Sequence, residues 1–294
     1  MTTFKRGSAL VAGLALVLAA CAGSDEPAAP TPDPTPAPTP EEPADACAID
    51  ALPLFAAGTL TVATGNEVFP PWMLDNDPAG GQGFENGLVY ALAAEMGFDA
   101  ADVEWVGTEF FEAIAAGPKD YDFNLQQYSI TAERQEVVSF SQPYYQPDKA
   151  VIALPTSSIV DATSFADLRD AKWGATVGTT DLDYLENVIG ITDVDVFDDQ
   201  AAVFLALSAG TIDATIAALP TALFVTAVQA PPTEIVALLT KDENDRGLGL
   251  LFEKDSELLP CVDAALGRII ADGTVDELVR EYLLPSRDIA FILE

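Results

Sequence analysis

The chain contains no histidine at all. Serine–histidine triads, histidine general bases and the commonest zinc ligand are removed together. Basic residues are also scarce: 13 lysines and arginines stand against 47 aspartates and glutamates, a formal net charge of −34. A field of that sign repels nucleic acid and anionic lipid, which argues against both as partners. Cysteine is limited to three residues, and no apolar run reaches the roughly 20 residues a spanning helix needs. What remains is ample: 294 residues, 49% of them hydrophobic, enough for one large or two medium domains with buried cores.

Residues 1–20 read as a signal peptide of lipoprotein type. Lys5 and Arg6 supply the positive start and Ala9 to Leu18 the apolar core, and the segment ends Leu18-Ala19-Ala20-Cys21, a lipobox pattern. Cys21 is then the lipidation site and the first residue after cleavage. Acyl chains on it would hold the protein to the outer face of the cell membrane without a transmembrane helix. Residues 21–46 continue as a tether with proline at nearly every second position, which favours an extended polyproline rod of about 3.1 Å per residue. With Cys21 set aside, Cys47 and Cys261 remain in an exported, oxidising setting, and they are expected to form a disulfide.

The folded body alternates apolar strands with helices. Strands are expected at Leu60 to Ala63, Val103 to Val106, Phe123 to Leu125, Val151 to Leu154, Trp173 to Val177, Ile212 to Ala217, Ile235 to Leu239 and Leu248 to Phe252. Between them, Leu88, Leu92 and Met96 recur at helical spacing before Gly97. Helices are also expected at Phe110 to Ala116, at Phe165 to Ala171 behind Ser164, around Leu182 to Val188, at Ala201 to Ala209 and from Leu219-Pro220-Thr221. Two more close the chain, at Ser256 to Ala271 and Thr274 to Leu284. This alternation argues for α/β sheets with helices on both faces, in two lobes. The stretch Gly80 to Gly87 invites a nucleotide-loop reading but fails it. Counted from Gly81, the sixth position is Asn86, and no basic residue stands near to meet a phosphate.

Two corners of the sequence carry binding chemistry. Asp122 to Tyr145 places Arg134 three residues after Thr131, at the start of a short helix beside Ser129. A guanidinium fork next to hydroxyls and free backbone N–H groups suits a small carboxylate. The second corner is Gly178-Thr179-Thr180-Asp181, where a strand ends and a helix begins. The loop Thr64 to Trp72 adds Asn66, Phe69, Pro70, Pro71 and Trp72 at a strand's carboxyl end, where open α/β sheets bind ligands.

In order and spacing these pieces resemble solute-binding protein family 3, the amino-acid receptors of bacterial ABC importers. The resemblance runs from about residue 58 to 284. It rests on Phe69-Pro70-Pro71-Trp72, Gly83-Phe84-Glu85, Tyr121-Asp122-Phe123, Ser129-Ile130-Thr131-Ala132-Glu133-Arg134 and Phe140-Ser141-Gln142-Pro143-Tyr144-Tyr145. Further on come Gly178-Thr179-Thr180, Gly210-Thr211-Ile212-Asp213-Ala214 and Asp272-Gly273-Thr274. It implies a periplasmic-binding-protein-like fold of two lobes, joined by two hinge strands around a ligand cleft. Residues 47–149 would form the first part of lobe 1, 150–242 lobe 2, and 243–294 the return to lobe 1. The crossings would fall near Asp148 to Val151 and near Leu239 to Leu248.

The resemblance also implies roles. Arg134 would clamp a ligand carboxylate, helped by Ser129, Thr131, Thr179 and Thr180, with Phe69 and Phe110 or Phe111 as aromatic walls. Glu85 would face the ligand side chain, and Asn66, Gln127 and Asp181 complete the expected set. The family aspartate that pairs with an α-ammonium is replaced by Ala218. Another acid (Glu67, Glu85 or Asp181) then takes its place, or the ligand lacks an α-amino group. The implied protein is a monomeric receptor that hands a small carboxylate-bearing solute, such as a polar or charged amino acid, to a membrane permease. It needs no cofactor or metal. The alternatives are a dehydratase-like enzyme on the same fold and an extracytoplasmic sensor component.

Overall fold

Two sheets carry the folded body, and the site lies where their strands end. The computed structural model describes residues 46–240, 245–283 and the backbone of 292–293. The expected signal peptide, Cys21 and all of the expected tether but its last residue lie outside the described residues.

The first sheet holds β1 (Leu60–Gly65), β2 (Val103–Thr108), β3 (Phe123–Asn124), β4 (Val138–Phe140) and β10 (Leu251–Glu253), in the order β2-β1-β3-β10-β4. Strands β1, β2 and β3 run parallel, while β10 is antiparallel to β3 and β4. Helices α1 (Phe84–Glu95) and α7 (Leu259–Ala271) pack on it. Phe84, Leu88 and Leu92 of α1 meet Val262, Ala265 and Leu266 of α7 over Leu60, Val62 and Phe123. Each large apolar side chain buried this way contributes about 1.5–3 kcal/mol. Helix α1 starts at Gly83, whose φ is 112°; a Cβ there would lie 2.5 Å from the Trp72 carbonyl oxygen, so only glycine fits.

The second sheet contains β5 (Lys149–Ala153), β6 (Trp173–Thr176), β7 (Val194–Phe197), β8 (Ala214–Ala218), β9 (Glu234–Leu239) and β11 (Ile292–Leu293), in the order β11-β9-β5-β8-β6-β7. Strand β5 shows why both faces are covered. Val151 and Ala153 point into one core with Trp173 and Tyr184, while Ala150 and Ile152 point into another with Val203, Phe204 and Leu207 of α5 (Gln200–Ser208).

The chain passes from the first sheet to the second between β4 and β5 and returns between β9 and β10. Ile292–Leu293, expected with the first lobe, instead pairs with Leu238 and Leu239 in the second sheet. Three other local expectations are corrected. Phe165 to Ala171 forms only a 3-10 turn at Asp167–Asp170, because the Asp167 carboxylate is taken up by the backbone N–H groups of Thr163 and Ser164 ahead of it. Strand β7 was not expected, since Val194–Phe197 is short and interrupted by Asp195. The helix expected from Ser256 starts only at Leu259. Cys47 and Cys261 do form a disulfide, with Cα atoms 5.4 Å apart, tying the start of the body to the first turn of α7.

Candidate functional site

A cavity of about 330 Å³ opens at the carboxyl ends of β1, β6 and β8, walled by residues of both sheets and of both crossings. Arg134 is the first residue of α3 (Arg134–Val137) and is buried. Thr131 starts that turn by accepting the Arg134 backbone N–H at Oγ1, 3.2 Å away. From there the side chain crosses the cleft: Nη1 donates to the Ser129 carbonyl at 2.8 Å and Nη2 to the Gly178 carbonyl at 2.9 Å. Its Cζ lies 5.5 Å from the centre of the Phe110 ring, which stacks on Tyr128 at 4.7 Å. Burial lowers the Arg134 pKa, while Asp183, Tyr128, Asp245 and Asp181 act to restore it; a guanidinium stays charged throughout. Two of its five N–H donors go to these carbonyls, so the fork is oriented without being used up.

Facing it, Thr180 begins α4 (Thr180–Asp183), and the Thr179 hydroxyl accepts from Leu182 N at 3.3 Å to cap that turn. The Thr180 hydroxyl lies 3.2 Å from Ser129 Oγ across the cleft and accepts from Lys149 Nζ at 3.0 Å. Lys149 also pairs with Asp181 at 2.6 Å and lies 3.8 Å from Asp245 Oδ2. Burial works against the lysine's charge, but Asp181 and then Asp245 outweigh it and hold its pKa above the ordinary value. Asp245 Oδ2 accepts the Ser129 hydroxyl at 2.9 Å.

Glu85, in the first turn of α1, forms a second polar centre. It is completely buried and accepts from the Gln127 backbone N–H at 3.0 Å, from the Gln127 side-chain amide and from the Tyr144 hydroxyl. Burial pushes its pKa up to about 7, against the opposing pull of those three hydrogen bonds. Gln127 reaches it from a left-handed backbone, φ 53°, a conformation a non-glycine residue adopts at some cost.

Of the expected set, Arg134, Ser129, Thr179, Thr180, Asp181, Phe69, Phe110, Glu85, Asn66 and Gln127 all line the cavity. Thr131 and Phe111 do not. Thr131 serves the backbone of Arg134, and Phe111 is half exposed, lying against Gly178 so closely that a Cβ there would be 2.9 Å from its ring. Ala218 lines the cavity and pairs with Lys149 across the β5–β8 ladder. Sequence reasoning missed Lys149, Asp245 and Thr221. Lys149 lies within the expected crossing Asp148 to Val151, and that place was the available signal. Asp245 lies in the other expected crossing, Leu239 to Leu248, but did not stand out as one acid among several in the polar run 241–246. Thr221 accepts from the Trp72 indole at 2.7 Å, joining one sheet's loop to the other's helix α6 (Leu219–Phe224). Among the described residues, no group of three or more cysteine, aspartate and glutamate side chains is placed to hold a metal ion.

The chain and its fold are similar to known proteins. The chain is 29% identical to the ABC transporter arginine-binding protein 1 of Escherichia coli over 207 residues, 68% of this chain and 81% of that one. It is 25% identical to a probable histidine-binding protein of Campylobacter jejuni over 207 residues, 69% and 77% of the two chains. An ancestral arginine-binding protein bound to arginine superposes with a TM-score of 0.65 at 28% identity, covering 77% of this chain and 99% of that one. These relatives are named as binding proteins. The family model for bacterial extracellular solute-binding proteins, family 3, matches residues 60–285, which take in every strand of both sheets but β11 and every wall of the cavity, and the chain belongs to that family.

Proposed function

We propose that the protein is the extracytoplasmic receptor of an ABC importer and captures an amino acid, or a close carboxylate-bearing relative, in the cleft around Arg134. The observation that carries this reading is the buried Arg134 fork, set between Ser129 and Gly178 on opposite sides of the cavity. A carboxylate meeting the remaining N–H donors of that fork would draw the two lobes together, and solute would shift the open–closed balance toward closed. Glu67, Glu109, Asp198 and Asp199 stand exposed around the cavity. Their field favours a solute carrying positive charge beyond the carboxylate, which agrees with relatives named for arginine and histidine.

In this reading Cys21 carries the lipid anchor, residues 22–46 hold the body away from the membrane, and a permease receives the solute. Two measurements test it. Native mass spectrometry of gently purified protein should find a co-purified amino acid, and a thermal-shift screen should raise Tm for the same compound. No hit among amino acids and small organic acids would contradict it.

A second reading, an enzyme of dehydratase type, is favoured by one observation. Glu85 is a buried carboxyl on the cavity wall with a pKa near neutrality, a value suited to proton transfer. Its three donors give a sufficient structural account, and the receptor reading stands as the conclusion. Recovery of a bound compound unchanged after prolonged incubation separates the two.

A further inference from the structure

The charges around Arg134 come in a particular balance. Lys149 is committed to Asp181 at 2.6 Å and to the Thr180 hydroxyl at 3.0 Å, so this cation and this carboxylate satisfy each other. Arg134 and Asp245, whose Oδ2 lies only 3.8 Å from Lys149 Nζ, are the less closely paired charges, and both are anchored on Ser129. The Ser129 carbonyl accepts Arg134 Nη1 at 2.8 Å, and its hydroxyl donates to Asp245 Oδ2 at 2.9 Å. One charge of each sign, held by two polar groups of a single residue, matches a ligand whose own carboxylate and ammonium are separated by one carbon.

The other acids of the cavity are less suited. Glu85 already accepts three donors, and Glu67, Glu109, Asp198 and Asp199 are exposed, where an ion pair is worth little. Asp245 is partly buried, its side chain 8% exposed, lines the cavity, and among the described residues accepts the Ser129 hydroxyl and the Gly247 N–H, with Lys149 more distant.

We propose that Asp245 pairs with the ammonium of the bound amino acid, and that Lys149 is a positioning residue that keeps Asp181 engaged and fixes Thr180. This rests on the receptor reading above and adds the ligand's second anchor. Ala218, across the ladder from Lys149, offers that ammonium no carboxylate, and the crossing between β9 and β10 supplies one instead. A buried ammonium without such a partner would be strongly unfavourable.

Calorimetric titration of the mature chain tests this with L-arginine, L-histidine, L-glutamine and L-glutamate, each against its 2-deamino counterpart. Wild type should bind at least one amino acid roughly thirtyfold or more tightly than its deamino partner. Asp245→Asn should bring that ratio close to one, and adding Ala218→Asp to it should restore the preference. Equal affinity of wild type and Asp245→Asn for the amino acid overturns the assignment, as does a wild type that does not distinguish the partners. If Asp245→Asn does not fold, the wild-type ratio decides. Arg134-dependent binding without discrimination removes Asp245 alone, whereas no binding of any probe removes the receptor reading as well.

Discussion

Arg134 Nη2 donates to the Gly178 carbonyl at 2.9 Å, so a cation rooted in one lobe is held by the backbone of the other. Its partner bond to the Ser129 carbonyl uses the second arm of the same fork. A lysine keeps the charge but has no planar fork to span both carbonyls and a ligand. Arg134→Lys is therefore expected to lose about a hundredfold or more in solute affinity, within the range for truncating a buried charge pair. Retention of wild-type affinity in a titration would show that charge alone suffices.

The indole of Trp72 reaches Thr221 at 2.7 Å, and both side chains are buried. Thr221→Val preserves shape and removes the acceptor, leaving the indole N–H unsatisfied at a cost of about 1–3 kcal/mol. For a body of this size that corresponds to a fall in Tm of roughly 2–10 °C. Differential scanning calorimetry reads the shift directly, and an unchanged Tm would mean that the contact contributes nothing to holding the lobes.

Glu85 gives stability a defined pH dependence. Its folded pKa, about 7, lies above the ordinary value of 4.5, so the folded state holds the proton more tightly than the unfolded chain does. Its contribution is fully present below the unfolded value and is lost as pH rises through about 7. Between those two values the stability of wild type should fall relative to Glu85→Gln by about 3 kcal/mol, from the size of the shift. Urea melts of both proteins at several pH values check this. A difference that stays flat with pH would contradict the shifted carboxyl.

The Cys47–Cys261 disulfide closes a sequence separation of 214 residues. In the chain-entropy account a loop of that length contributes about 5 kcal/mol, the upper end of the usual range. A Cys47→Ser, Cys261→Ser double variant is expected to lose about 2–5 kcal/mol in a denaturant melt while keeping its solute affinity, because neither residue lies on the cavity. Lost affinity in a folded double variant would place the clip in the binding cycle.

Much of this was legible from the sequence, for local reasons. Strands such as Leu60–Gly65 and Trp173–Thr176 are apolar runs bounded by glycine and threonine turns, and Arg134 stood out because Thr131 starts its short helix. The cores of both sheets follow from the same periodicities. What stayed hidden depends on the crossing of distant segments. Asp245 reaches Ser129 from 116 residues away, and Trp72 reaches Thr221 from 149, and no local pattern encodes either approach. Phe110 and Phe111 were indistinguishable as neighbours in sequence. The start of α2 (Phe110–Ile114) turns the first toward Arg134 and the second out against Gly178.

The most direct test of the carboxylate clamp blocks the carboxylate itself. Calorimetry should compare the tightest-binding L-amino acid with its carboxamide, which keeps every other group but cannot accept the guanidinium fork as an anion. Affinity is expected to fall by about a hundredfold or more in wild type, and by little in Arg134→Ala, where the clamp is already gone. Equal affinity of wild type for the acid and the amide would contradict the account.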